Sequence, residues 1–145
     1  MFDHILVPTD GSDEAERAVD EAIALAAASD ATIHALYVVD VRSYSTLSEE
    51  SWMTVQEAVE DAGERAVERI ETRAKGEGLR VTTTLEPGVP HSVILDYAER
   101  NDVDLIVMAT HGRTGLGHVL LGSVTEKVVR GSPVPVLTVR AGDDE

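Results

Sequence analysis

The stretch Val103-Asp104-Leu105-Ile106-Val107-Met108-Ala109, followed by Thr110-His111-Gly112, decides the fold. Leu105 to Met108 run apolar without a polar break, so they cannot form a strand with one wet face. Such a run is expected where both faces of a strand are covered, as in the middle of a parallel sheet. Residues 103–109 are therefore read as a central strand ending at a glycine-rich turn. Five short apolar runs separated by four helical stretches are expected along the chain. The first strand is Ile5-Leu6-Val7, closed by Pro8. Strands follow over 31–39, 79–85, 103–109 and 134–139.

Between the strands the apolar period changes from two to about 3.6. Ala15, Ala18, Val19, Ala22, Ile23 and Ala26 mark a first helix, with Ser12 as its cap and Asp13, Glu14 and Glu16 at its positive end. Residues 40 to about 51 read as a loop. Val55, Ala58, Val59, Ala62, Ala66, Val67 and Ile70 mark a long helix closed by Gly76 and Gly78, and Trp52 and Met53 read as its hydrophobic anchor. Pro90 opens a third helix with Val93, Ile94, Tyr97 and Ala98 on its inner face. A fourth covers about 123–130. The order βαβαβαβαβ predicts an α/β fold, a five-stranded parallel sheet, doubly wound and Rossmann-like. Pro135 within the last strand cannot donate to a ladder, which places that strand at a sheet edge. One domain over residues 1–145 is expected.

Bulk composition narrows the function. The chain has 145 residues, with 27 Asp and Glu against 12 Lys and Arg, and a formal net charge of -15. An acidic surface repels nucleic acid and anionic lipid, so neither is an expected partner. It suits work in concentrated salt, so a halophilic source is one expectation and an ordinary soluble acidic protein is the other. With no cysteine, disulfides, thiolate metal sites and cysteine nucleophiles are excluded. The opening residues carry no basic region and no long apolar run. They are not expected to act as a signal peptide, and the expected location is cytoplasmic. His4, His34, His91, His111 and His118 show no metal-ligand spacing and read as surface or packing residues.

In a doubly wound sheet the ligand lies beyond the carboxyl ends of the strands, where the strand order reverses. Two segments qualify. Pro8-Thr9-Asp10-Gly11-Ser12 follows the first strand. Thr110 to Glu126 follows the fourth and holds Gly112, Gly115, Gly117 and Gly122. Glycines let main-chain amides approach an anion, and the helix opened by Gly122-Ser123 offers its positive end to phosphate. Ser123 and Glu126 also have capping-box spacing, a structural role for Ser123 compatible with a ligand. Gly117 and Gly122 have Walker spacing, but Ser123 stands where the lysine belongs, and GxGxxG is absent. Neither an ordinary P-loop enzyme nor a nicotinamide enzyme is indicated.

Met108-Ala109-Thr110-His111-Gly112-Arg113-Thr114-Gly115, with Leu121-Gly122-Ser123-Val124-Thr125-Glu126-Lys127-Val128, resembles the C-terminal signature of universal stress proteins. Gly112 and Gly122-Ser123 keep the nine-residue spacing of nucleotide-binding members. Ala109 stands where those members carry a first glycine; a methyl group is small, and binding is expected to survive it. Residues 5–12 and 133–139 also resemble the family's two ends.

The resemblance implies strand order 3-2-1-4-5, a homodimer through residues 134–139, and ATP as ligand with Mg²⁺ on its phosphates. It implies that Asp10 binds the ribose hydroxyls and that Pro8, Thr9 and Val38 line the adenine pocket. Gly112, Arg113 and Gly115 would belong to the phosphate loop, and Met108, Ala109 and His111 before it would also line the ligand. Gly122, Ser123, Val124 and Thr125 would form the helix start that holds the outer phosphates. No general base for water is evident, so any ATP hydrolysis is expected to be slow. The implied role is regulatory or protective, in the response to stress. Two alternatives stand beside it: a dimeric interaction module without nucleotide, and a slow ATPase.

Overall fold

A computed structural model describes residues 1–40, 42, 48–110 and 122–140. The elements are β1 (His4–Pro8), α1 (Asp13–Ser29), β2 (Thr32–Val39), α2 (Glu49–Gly76), β3 (Val81–Pro87), α3 (Pro90–Arg100), β4 (Leu105–Ala109), α4 (Ser123–Gly131) and β5 (Val136–Val139). The strands are parallel and ordered β3-β2-β1-β4-β5. This is the doubly wound α/β architecture expected, with β4 inside the sheet and β5 at its edge.

The apolar run of β4 divides between two layers, as the pleat requires. Leu105 and Val107 join Ile5, Val7, Ile33 and Ala35 on the face covered by α1 and α2. Ile106 and Met108 join Leu6 and Leu36 on the face covered by α3 and α4. Both faces of β1 and β4 are therefore dry, and neither face tolerates the alternation of a half-exposed strand.

The start of the long helix, its anchor and the start of the last strand differ from the sequence reading, each for a local reason. The long helix starts at Glu49, within the stretch read as loop. Ser48 caps it by accepting from the Ser51 amide, and Glu49 and Glu50 lie in the first turn, where the helix dipole favours them. The rest of that expected loop, Val41 and residues 43–47, lies outside the described residues. Trp52 packs against the core, whereas Met53 is 58% exposed and anchors nothing. The last strand begins at Val136, not Val134. Pro135 precedes it and contributes only its carbonyl, which accepts from the Ile106 amide at 3.0 Å; a residue without N–H can pair in no other way.

Candidate functional site

The strand order reverses between β1 and β4, which are neighbours. The crevice beyond their carboxyl ends is bounded by the tips of β1, β2 and β4 and by the mouth of α4. Of the residues expected there, Pro8, Thr9, Asp10, Val38, Met108, Ala109, Gly122, Ser123, Val124 and Thr125 all fall at this end of the sheet. His111, Gly112, Arg113 and Gly115 lie outside the described residues.

The β1 tip is held by short-range turns. The Thr9 amide donates to the Leu36 carbonyl at 2.9 Å, fastening it to β2. The Gly11 amide donates to Thr9 Oγ1 at 3.0 Å, and the Ser12 amide to Asp10 Oδ1 at 2.9 Å. Gly11 has φ +81°, a left-handed conformation that suits glycine. Ser12 then caps α1 through the Ala15 amide. Asp10 thus has a turn role, and the turn holds its carboxylate at the end of β1.

The β4 side is closed by three bonds. The Thr110 amide donates to the Val139 carbonyl at 2.9 Å, and the Gly122 amide to the Thr110 carbonyl at 2.6 Å. Thr125 Oγ1 donates to the Ala109 carbonyl at 2.9 Å. Thr110 and Gly122, which flank residues 111–121, are therefore held together. Thr125 is buried and its hydroxyl is committed to this buckle, so what it can present outward is its main chain. Met108 is likewise buried, in the α3/α4 layer. Ala109 lies in ladder register with Val139 and does not have positive φ. A side chain there costs no backbone strain. Replacing Thr125 with valine keeps the volume but leaves the Ala109 carbonyl unpaired. We expect a loss of about 1–2 kcal/mol in urea unfolding, largely restored by serine.

The capping box is not formed. Gly122 is the N-cap of α4, with φ -65° and ψ 158°, and it has no side chain to give; Ser123 is already helical. Glu126 donates its amide to the Gly122 carbonyl. The mouths of α1 and α2 are capped by Ser12 and Ser48, and α3 opens on Pro90, which has no N–H. The mouth of α4 has no side-chain cap, and the amides of Ser123, Val124 and Thr125 have no intrahelical acceptor; α3 shares this at the amides of His91 and Ser92. The α4 amides and the positive end of its dipole face the crevice end of the sheet. Ser123 is exposed there.

One pair at this end was not anticipated. Asp40, just after β2, accepts from Arg42 Nε at 3.0 Å and from its NH2 group at 2.9 Å. These bonds hold the Asp40 carboxyl below its ordinary pKa. The signal available was an aspartate two residues before an arginine, directly after a strand, where an Asx turn forms; the Arg42 amide does bond Asp40 Oδ1.

The fold and the crevice define a doubly wound α/β protein whose ligand end carries an uncapped helix mouth. The universal stress protein family model matches residues 1–140, and the chain belongs to that family. It is 40% identical over 141 residues to Universal stress protein MJ0531 of Methanocaldococcus jannaschii, covering 97% of this chain and 83% of that one. The solved structure of MJ0577 from the same organism superposes with TM-score 0.89 at 33% identity, covering 99% of each chain. A universal stress protein solved in complex with cAMP superposes at TM-score 0.71 and 27% identity, covering 97% of this chain and 98% of that one. Among the described residues no helix is long and apolar enough to cross a membrane.

Proposed function

We propose that this chain is a nucleotide-binding universal stress protein whose ligand is ATP, serving a regulatory or protective role. The observation that carries the reading is the mouth of α4, which has no side-chain cap, at the point where Gly122 bonds Thr110. Three amides without an intrahelical acceptor and a helix dipole are a ready site for phosphate, and a structural relative is known in complex with cAMP. Asp10 would accept from the ribose hydroxyls, and Pro8, Thr9 and the Val38 main chain would flank the base. His111, Gly112, Arg113 and Gly115 would wrap the phosphates together with Gly122, Ser123 and Val124. Among the described residues no three acidic or histidine side chains converge on a metal position. Mg²⁺ would therefore be held mainly by the phosphates, as it commonly is. The edge strand β5, with Leu137 exposed, would pair with a second copy, and the acidic chain would work in the cytoplasm of a salt-adapted cell.

Isothermal titration tests the reading. Heat saturating at one Mg-ATP per chain is expected. Absence of heat at millimolar nucleotide would exclude it. Titration with AMP and cAMP shows how far the outer phosphates contribute.

A further inference from the structure

At the other end of the sheet, away from the crevice, three side chains form a continuous hydrogen-bonded chain. His4 Nδ1 stands 3.0 Å from His34 Nε2, and His34 Nδ1 stands 2.8 Å from Tyr97 Oη. The chain joins β1 and β2 to α3. His34 is 6% exposed and Tyr97 4%, while His4 is only partly buried and borders an open depression lined by Asp3, Thr32, Arg80, Asp102 and Asp104.

We propose that His4, His34 and Tyr97 form a pH-sensitive latch between the sheet and α3, which holds one added proton but not two. The reason is donor geometry. With Nδ1–H of His4 donating to Nε2 of His34, Nδ1–H of His34 donates to Tyr97 Oη. An added proton on the outer Nε2 of His4 leaves every bond in place. A second proton, on His34, sets N–H against N–H across 3.0 Å and two positive rings side by side.

The surrounding charges do not offset this. Asp104 faces His4, but its two oxygens accept the amides of Asp3 and His4 at 2.9 and 3.1 Å. Asp3, Asp102 and Arg80 stand at the rim of the depression. From α3 the Arg100 guanidinium lies 5.8 Å from the Tyr97 ring centroid, and it pairs with Glu86 of β3 at 2.9 Å. Among the described residues no carboxylate is bonded to the His34 ring, whose two nitrogens face His4 and Tyr97.

Burial, then the charge of His4, lowers the His34 pKa from its ordinary 6.5. The unfolded chain binds this proton as the pH falls through 6.5, while the native chain does not. Stability is therefore full above pH 6.5 and declines below it, until native His34 itself titrates.

The test is an NMR titration of the imidazole rings of the whole chain from pH 7.5 to 5, with Tm followed in parallel. His34 should titrate below pH 6.5, and Tm should fall by about 3–6 °C across the range. His4→Asn keeps the His34–Tyr97 bond and removes the second ring. In it, the His34 midpoint should rise and the Tm loss should shrink. Other groups titrate alike in both proteins and cancel in the comparison. A His34 midpoint at or above 6.5 in the wild type would overturn the latch, as would identical pH dependence of Tm in the two proteins. If the variant does not fold, the wild-type ring titration decides alone.

Discussion

Alanine at Gly63 is expected to lower stability by about 1–2 kcal/mol, and valine by about 3 kcal/mol. Helix propensity alone predicts the opposite sign, because Gly63 lies inside α2 and alanine gains about 1 kcal/mol over glycine in a helix. The contact decides against propensity. A Cβ at Gly63 would lie 2.5 Å from Tyr37 Cδ1 and 2.9 Å from Cε1 and Cγ, within the ring itself. Tyr37 is buried on β2 between the sheet and α2, so the ring cannot swing away without opening the layer. Urea unfolding of Gly63→Ala measures the net effect. In a Tyr37→Leu background the same change should become neutral or stabilising, and this reversal identifies the contact as the cause. Equal losses in both backgrounds would place the cause elsewhere.

Asp10→Asn is expected to weaken Mg-ATP binding about tenfold or more while leaving Tm nearly unchanged. A charge-assisted hydrogen bond contributes about 1.5–3 kcal/mol, and each 1.4 kcal/mol is a factor of ten in affinity. Asparagine can still accept the Ser12 amide through its side-chain carbonyl, so the turn seen at Asp10 Oδ1 persists. Its amide donor cannot replace the second acceptor that a vicinal diol would use. Asp10→Ala should show the same loss of affinity and, in addition, the cost of losing the turn bond, about 0.5–1.5 kcal/mol. Calorimetry separates binding from thermal stability in both variants. Unaltered affinity in Asp10→Asn would remove Asp10 from the ribose site and leave it as a turn residue only.

These predictions draw on different levels of the molecule. The β4 run and the period of α1 could be read directly, because burial on two faces and an apolar stripe are written in consecutive residues. The Ser48 cap is equally local, but the polar residues around it have the composition of a loop. The capping-box reading failed by one position. Serine followed three residues later by glutamate fits the spacing, but the chain enters α4 at Gly122, and only the backbone dihedrals show where extended conformation ends. The site was legible as two loops beyond two strands. Committing Thr125 to the Ala109 carbonyl needed coordinates, since the two residues are 16 apart in sequence.

By itself the sequence determined the element order, the parallel sheet with two dry faces and the edge position of the last strand. Each depends on local period or on the missing proline donor, and both are properties of neighbouring residues. Tertiary structure alone decided that Gly63 must lack a side chain, that Thr125 buckles the loop, and that His4, His34 and Tyr97 meet. Those contacts join residues 16 to 63 positions apart. They exist only once strand register and helix docking bring the groups within a few ångströms, where contact and hydrogen-bond forces act.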